Sequence, residues 1–311
     1  MAKYIIEDTT LYNIGNAIRT QSRTTGSIKP GDMADAILAL DIAPIAFLQN
    51  MTDYRSSIAT DITPVRYPLS GLCTNLQTVT LDAATVIRGF NDLPNLTTVN
   101  APAAIELWGT TFCNCYNLSV LNLPKVESAS AACFKNCTSL TAVDLPSFTY
   151  ALPSNCFYNC TNLTTADYPN ATSVQDRCFY NCTNLTTVNL KSIEVVRAYA
   201  FENCTSLTTL DLPATAYYFE DSPFKNCSNL EHLILRYNGM ITVKTTNTLS
   251  TDSQAKIYFF QGTPIASGTG YLYVPKTMVS TYQDTGYWGT IIPNPETQIR
   301  AIEDYPDITG G

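Results

Sequence analysis

One short frame constrains this chain more than anything else in it. Phe157-Tyr158-Asn159-Cys160-Thr161-Asn162-Leu163-Thr164-Thr165 is followed, almost letter for letter, by Phe179-Tyr180-Asn181-Cys182-Thr183-Asn184-Leu185-Thr186-Thr187. The same Phe-x-Asn-Cys opening stands at Phe112, Phe134, Phe201 and Phe224, so successive phenylalanines lie 22, 23, 22, 22 and 23 residues apart. A fixed period in that range belongs to stacked coils, each burying its apolar residues against its neighbours. Two degenerate units precede them, one at Cys73-Thr74-Asn75-Leu76 without its phenylalanine and one at Phe90 with Leu93 in the cysteine place. Terminal repeats are commonly atypical.

Within a unit the alternation assigns sides. In Leu207-Thr208-Thr209-Leu210-Asp211-Leu212-Pro213 the leucines point inward along a short strand, and Pro213, which has no N–H to give a ladder, ends it. Pro102, Pro124, Pro146 and Pro169 hold the equivalent place. A second extended segment precedes each phenylalanine, with Val174, Val196 and Phe219 inward five residues before it. Asn136, Asn159, Asn181, Asn203 and Asn226 form a further series, expected inward and satisfying backbone groups of a tight turn. Of the eleven cysteines, seven (Cys73, Cys115, Cys137, Cys160, Cys182, Cys204, Cys227) share one repeat position, and Cys133, Cys156 and Cys178 directly precede a repeat phenylalanine. Cysteine is a small, readily buried hydrophobe, so reduced ladders are expected. Local disulfides or a metal at C-x3-C pairs are the alternatives, and a zinc site wants four ligands where His232 is the only histidine.

Charged residues make up 14% of the chain against a usual ~25%, and the net charge is −8. That balance speaks against nucleic acid, which needs clustered Lys and Arg, and no basic run suits an anionic membrane surface. No stretch has the ~18 uninterrupted apolar residues of a membrane span. The first residues lack the apolar core of a secretory signal, so the expectation is a chain made and folded in a cytoplasm, which says nothing of where it works.

Four regions follow. Residues 1–45 form a small helical unit, with Leu11, Ile14 and Ile18 on one helix and Met33, Ile37 and Leu40 on a second opened by Pro30. Residues 46–69 connect, and the stack begins there. Residues 70–237 are the solenoid, mainly β. Residues 238–311 are a mixed α/β cap, with strands at Ile257–Phe260 and Tyr271–Val274, a short helix from Lys276 to Tyr282 and an anchor at Tyr287-Trp288. The tail from Asn294 onward reads as extended or loosely packed.

The frame Phe-x-Asn-Cys-x-x-Leu-x-x-Val-x-Leu-Pro resembles BspA-like (Treponema pallidum-type) leucine-rich repeats over about residues 70–237. Thr10–Arg19 and Ile28–Ile37 look like a segment of bacteriophage and prophage tail-associated proteins. Together the two resemblances imply a virion fibre or baseplate-associated protein. Its N-terminus would attach to other virion proteins and its repeats would meet a host polysaccharide or protein. They imply a homo-oligomer, possible as a trimer, located on the virion.

No catalytic constellation stands out. His232 has no nucleophile motif, Gly268-Thr269-Gly270 is a lone turn, and a facing pair of acids would break the regularity of the repeats. The chain is therefore read as non-enzymatic, without cofactor, metal or membrane insertion. Recognition would use positions that vary between otherwise identical units, together with aromatics outside the core. These are Trp108, Tyr150, Asn155, Gln175, Arg177, Arg197, Tyr199, Tyr217, Tyr218 and Glu220, with Tyr168 beside them. A rigid virion spacer and a cytoplasmic bacterial scaffold are the other readings.

Overall fold

The computed structural model describes residues 73–244, 259–284 and 288–309, and the backbone of two strands before them. The helices expected between residues 10 and 40 lie outside the described residues, as do Ile257, Tyr258 and Tyr287. The chain divides into two units, residues 1–140 and 141–311.

In the first unit each coil from β3 onward contributes one strand to each of two parallel sheets. The longer strands β1 (Ile5–Ile6), β2 (Asp53–Ser56) and β3 (Thr78–Leu81) are followed by β5 (Thr98–Asn100) and β7 (Val120–Asn122), and they pair in that order. The shorter strands β4 (Val86–Ile87), β6 (Glu106–Leu107) and β8 (Ser128–Ala129) form the other sheet. The sheet thus starts well before residue 70, inside the stretches read as helical unit and connector. Between the sheets Phe90, Phe112 and Phe134 stack at ring separations of 6.3 and 5.7 Å.

The second unit repeats the plan. Its longer strands are β9 (Thr165–Asp167), β11 (Thr187–Asn189), β13 (Thr209–Leu212), β15 (His232–Leu235), β17 (Tyr271–Val274) and β18 (Ile299–Ala301). Its shorter strands β10 (Ser173–Val174), β12 (Val195–Val196), β14 (Tyr218–Phe219) and β16 (Thr242–Val243) make a four-stranded parallel sheet. Phe157, Phe179, Phe201 and Phe224 stack at 5.3, 5.3 and 6.0 Å. Leu207, Leu210 and Leu212 are buried, and Pro213 follows the last residue of β13 as expected. Each fully buried Leu or Phe contributes roughly 1.5–3 kcal/mol, available only because the next coil supplies the other wall.

The asparagines differ from expectation. They are half-buried, not inward, and all six from Asn114 to Asn226 have left-handed backbones with φ between 59° and 63°. Asparagine tolerates that conformation better than other non-glycine residues. Neighbouring coils satisfy the turn backbone, as when Asn181 N–H donates to the Glu202 carbonyl at 2.8 Å. The side-chain amides instead bond one another, Asn181 to Asn159 at 2.6 Å and Asn226 to Asn203 at 3.0 Å. A second left-handed series lies two residues before Phe134, Phe157, Phe179, Phe201 and Phe224, at Ala132, Asn155, Arg177, Tyr199 and Ser222. The coils of Phe134, Phe157, Phe179, Phe201 and Phe224 thus turn between two such residues.

The repeat cysteines are buried free thiols whose sulfurs donate to a phenylalanine carbonyl one coil back, as Cys182 does to Phe157 at 3.1 Å. Burial pushes the thiols of Cys73, Cys115, Cys133 and Cys227 from 9.0 up to about 12.

The cap continues the stack with different residues. Phe259 and Phe260 lie in a turn, not the strand expected there. Phe260 stacks on Phe224 at 6.4 Å, and Gly262, with φ 74°, takes the place of the asparagine. A Cβ at Gly262 would lie 2.6 Å from the Asn226 Oδ1. Helices α1 (Pro264–Ser267), α2 (Val279–Asp284), α3 (Trp288–Ile291), α4 (Pro295–Gln298) and α5 (Pro306–Thr309) are short. Thr263 caps α1, its hydroxyl accepting from Ala266 N–H. The tail is not loose: β18 pairs with β17 along Leu272↔Ile299 to Val274↔Ala301. Gln298, buried, donates from Nε2 to the carbonyls of Ile265 and Gly270, tying the tail inside.

Candidate recognition faces

The outward side of the shorter sheet in the second unit collects most of the candidate residues. Pairing β10 to β12 to β14 to β16 aligns Ser173, Val195, Tyr218 and Thr242 in one row. Two residues later the chain places Gln175, Arg197, Glu220 and Lys244, whose backbone N–H groups donate to Leu152, Val174, Val196 and Phe219. The left-handed residues Asn155, Arg177 and Tyr199 make the adjoining row, anchored by their own N–H bonds to Asp176, Ala198 and Asp221. The stacking of neighbouring coils thus brings these residues side by side.

Their environments separate them. Arg177 is exposed and lies over the Tyr199 ring at 4.9 Å. Tyr217 is 43% exposed, its ring 6.3 Å from Tyr237. Gln175 donates to the Ser173 hydroxyl at 2.8 Å. Glu220 differs from expectation: it is buried and paired with Arg197, and the Tyr218 hydroxyl lies 3.4 Å from the same carboxylate oxygen. Arg197 and Glu220 therefore lock adjacent coils together, and the free rim of the face is Arg177, Tyr199 and Tyr217. Tyr168 is also corrected. It is fully buried between Phe157 and Phe179, its hydroxyl donating to the Val143 carbonyl at 3.1 Å. Tyr150 is 61% exposed.

In the first unit Trp108 is 49% exposed just past β6. Its indole N–H donates to the Glu106 carboxylate and the Arg88 guanidinium sits 5.2 Å from its ring. Ile105, also exposed, flanks the same strand.

Sequence reasoning missed Lys244 and Tyr237, because the frame that generates the rows stops at Tyr237. A count of 22 or 23 residues from Glu220 falls on Thr242 or Val243, so the period alone does not reach Lys244. It also missed a cluster around Arg300 on the sheet β13-β15-β17-β18, which only strand pairing across the cap assembles. His232 stacks on Tyr271 at 6.0 Å there, and burial lowers its pKa below the usual 6.5. Among the described residues no three His, Cys, Asp or Glu are grouped to hold a metal ion, and no helix is long and apolar enough to cross a membrane. What these faces offer chemically is aromatic stacking and guanidinium or amide hydrogen bonding.

Solved structures that match include a leucine-rich repeat protein from Bacteroides ovatus, 17% identical over 81% of this chain and 84% of that one, with a TM-score of 0.35. The T. pallidum leucine-rich repeat protein is 17% identical over 50% of this chain and 77% of its own, at 0.31. A Listeria monocytogenes internalin is 16% identical over 72% and 76%, at 0.30. No curated protein matches. The family model for the BspA type leucine-rich repeat region matches six copies, over residues 88–191 and 151–262. Those matches run through more than half of the 311 residues, and the chain belongs to the BspA type leucine-rich repeat family.

Proposed function

We propose that this chain is a non-catalytic recognition protein that meets a host cell-surface glycan or protein through the outward side of β10, β12, β14 and β16. The observation that carries the reading is that Gln175, Arg177, Tyr199 and Tyr217 flank the ends of the neighbouring strands β10, β12 and β14, with Arg177 over the Tyr199 ring. Aromatics and arginine outside the core are the usual anchors of binding surfaces. The resemblance of the N-terminal segment supports placing the protein on a bacteriophage tail or baseplate, with residues 1–45 attaching it and Leu11, Ile14, Ile18, Met33, Ile37 and Leu40 supplying the apolar contacts.

Two measurements test this. Arg177→Ala with Tyr217→Ala should weaken binding to host cells or isolated wall glycans by roughly tenfold or more, since hot-spot truncations cost ~2 kcal/mol or more. Unchanged binding would remove the face from the account. Deleting residues 1–45 should abolish incorporation into particles, and retention would end the attachment role. A rigid-spacer reading draws on the asparagine ladder and the Arg197–Glu220 pair, which bind coil to coil; it gains if no host surface binds.

A further inference from the structure

Outward residues of β15, β17 and β18 form a second cluster, on the four-stranded sheet β13-β15-β17-β18. The register sets His232 beside Tyr271 and Tyr273 beside Arg300. The Arg300 guanidinium lies 3.5 Å from the Tyr271 ring centre and 4.8 Å from that of Tyr305. Tyr273 is buried beneath them, its hydroxyl 3.3 Å from His232 Nδ1. Arg300 Nε donates to the Thr297 carbonyl at 3.2 Å. Among the described residues no carboxylate lies within ion-pair distance of Arg300. The nearby acids are engaged by Lys276, whose Nζ meets Asp304 and whose backbone N–H donates to Glu303.

We propose that Arg300, clamped between Tyr271 and Tyr305, binds the carboxylate of an acidic sugar. A guanidinium is a rigid planar fork that matches a carboxylate bidentately, and one already fixed by two rings and a backbone carbonyl loses little freedom on binding. Arg300 and Tyr305 open onto a recess of about 490 Å3 whose walls also carry Lys276, Asp304, Glu296, Thr297 and Gln283, Asp304 being paired with Lys276. An extended peptide would need the outer edge of β18, the last strand of its sheet. The Gln283 amide lies there, 3.4 Å from the carbonyls of Pro295, Glu296 and Ile299. A compact ring carrying a carboxylate would need the recess alone and not that strand edge. The assignment deepens the recognition reading and rests on it, yet uses a different sheet from the Arg177 face.

The test is calorimetric titration of the full chain with a galacturonate tetramer, a neutral galactose tetramer and tetraglutamate. Galacturonate should bind in preference to both. Arg300→Gln should weaken it roughly tenfold or more, the scale of losing a charge-assisted bidentate contact. Arg300→Lys, which keeps the charge without the fork, should also weaken it while near-UV circular dichroism stays unchanged, and Arg177→Ala should leave it intact. Equal binding of the neutral tetramer, tighter binding of tetraglutamate, no binding of galacturonate, or wild-type affinity in both Arg300 variants would overturn the assignment. Loss of host-cell binding in the Arg177 and Tyr217 variants with galacturonate binding intact would separate the two faces.

Discussion

The repeats of the second unit and the cap that follows them solve one burial problem with different materials. From Phe157 to Cys227 the core is built of like on like: phenylalanine on phenylalanine, thiol to phenylalanine carbonyl, amide to amide. From Phe259 onward the core is unlike on unlike, with Trp288 packed edge-on against Phe259 at 5.5 Å and tilted against Tyr282 at 5.2 Å. Gly262 replaces the asparagine and Thr263 the cysteine. Repetition is therefore not required for stacking. It is required for stacking that can be extended coil after coil.

Alkaline pH should destabilise the chain through its repeats, since the cap holds no cysteine, and this is the largest effect expected. All cysteines lie at or before Cys227. Their folded pKa values are raised by burial, so above about pH 9 unfolded thiols release protons that folded ones keep. Stability is full below that range and falls as pH rises, by about 1.4 kcal/mol per pH unit for each buried thiol. Chemical denaturation between pH 8 and 10 measures it. Native-state labelling should reach Cys113, the one only partly buried, before any other cysteine.

Single core lesions come next. Phe179→Ala and Trp288→Ala should each cost ~3–5 kcal/mol in denaturant titrations. Hydrogen exchange should distinguish them, since loss of Phe179 opens the coils of Phe157 and Phe201 on both sides, whereas loss of Trp288 opens the cap alone. Equal spread from both would erase the contrast.

A smaller effect sharpens the role of the amide ladder. Asn181→Ala loses its bond to Asn159 and strains a left-handed backbone, while Asn181→Gly loses the bond only. The alanine variant should be the less stable by ~1–2 kcal/mol. Equal stabilities would mean that the ladder, not the turn, decides the residue.

The smallest effect lies at the junction of the two regions. His232 is kept neutral by burial, with Glu231 opposing and Arg300 reinforcing that shift. Unfolded histidine protonates first as pH falls through about 6.5, so its contribution, full above that value, declines from there toward the lower folded pKa. His232→Gln should flatten the pH dependence of stability between pH 7 and 5.

The coils were legible because each repeats its evidence. Phe, Leu and Cys at a fixed period name the inward positions, and proline marks the strand ends. The left-handed corners were not legible at Arg177 or Tyr199, since nothing in those residue types favours positive φ; the hydrogen bonds from the next coil impose it. Glu220 looked like surface because its partner Arg197 is 23 residues away, one coil back. Arg300 stood in a polar tail whose strand exists only by pairing with β17. A residue whose environment comes from a unique neighbour leaves no period to read.

Removal of one whole coil is the most direct test. Excising residues 158–179 joins Phe157 to Tyr180-Asn181-Cys182 and preserves the frame, as the 22-residue offset between ladder asparagines allows. Excising residues 158–168 joins mismatched halves. If coils bury their apolar sets only against one another, the first protein unfolds in a single cooperative transition with the secondary structure of the parent, and the second does not fold. Equal behaviour of the two deletions would contradict it.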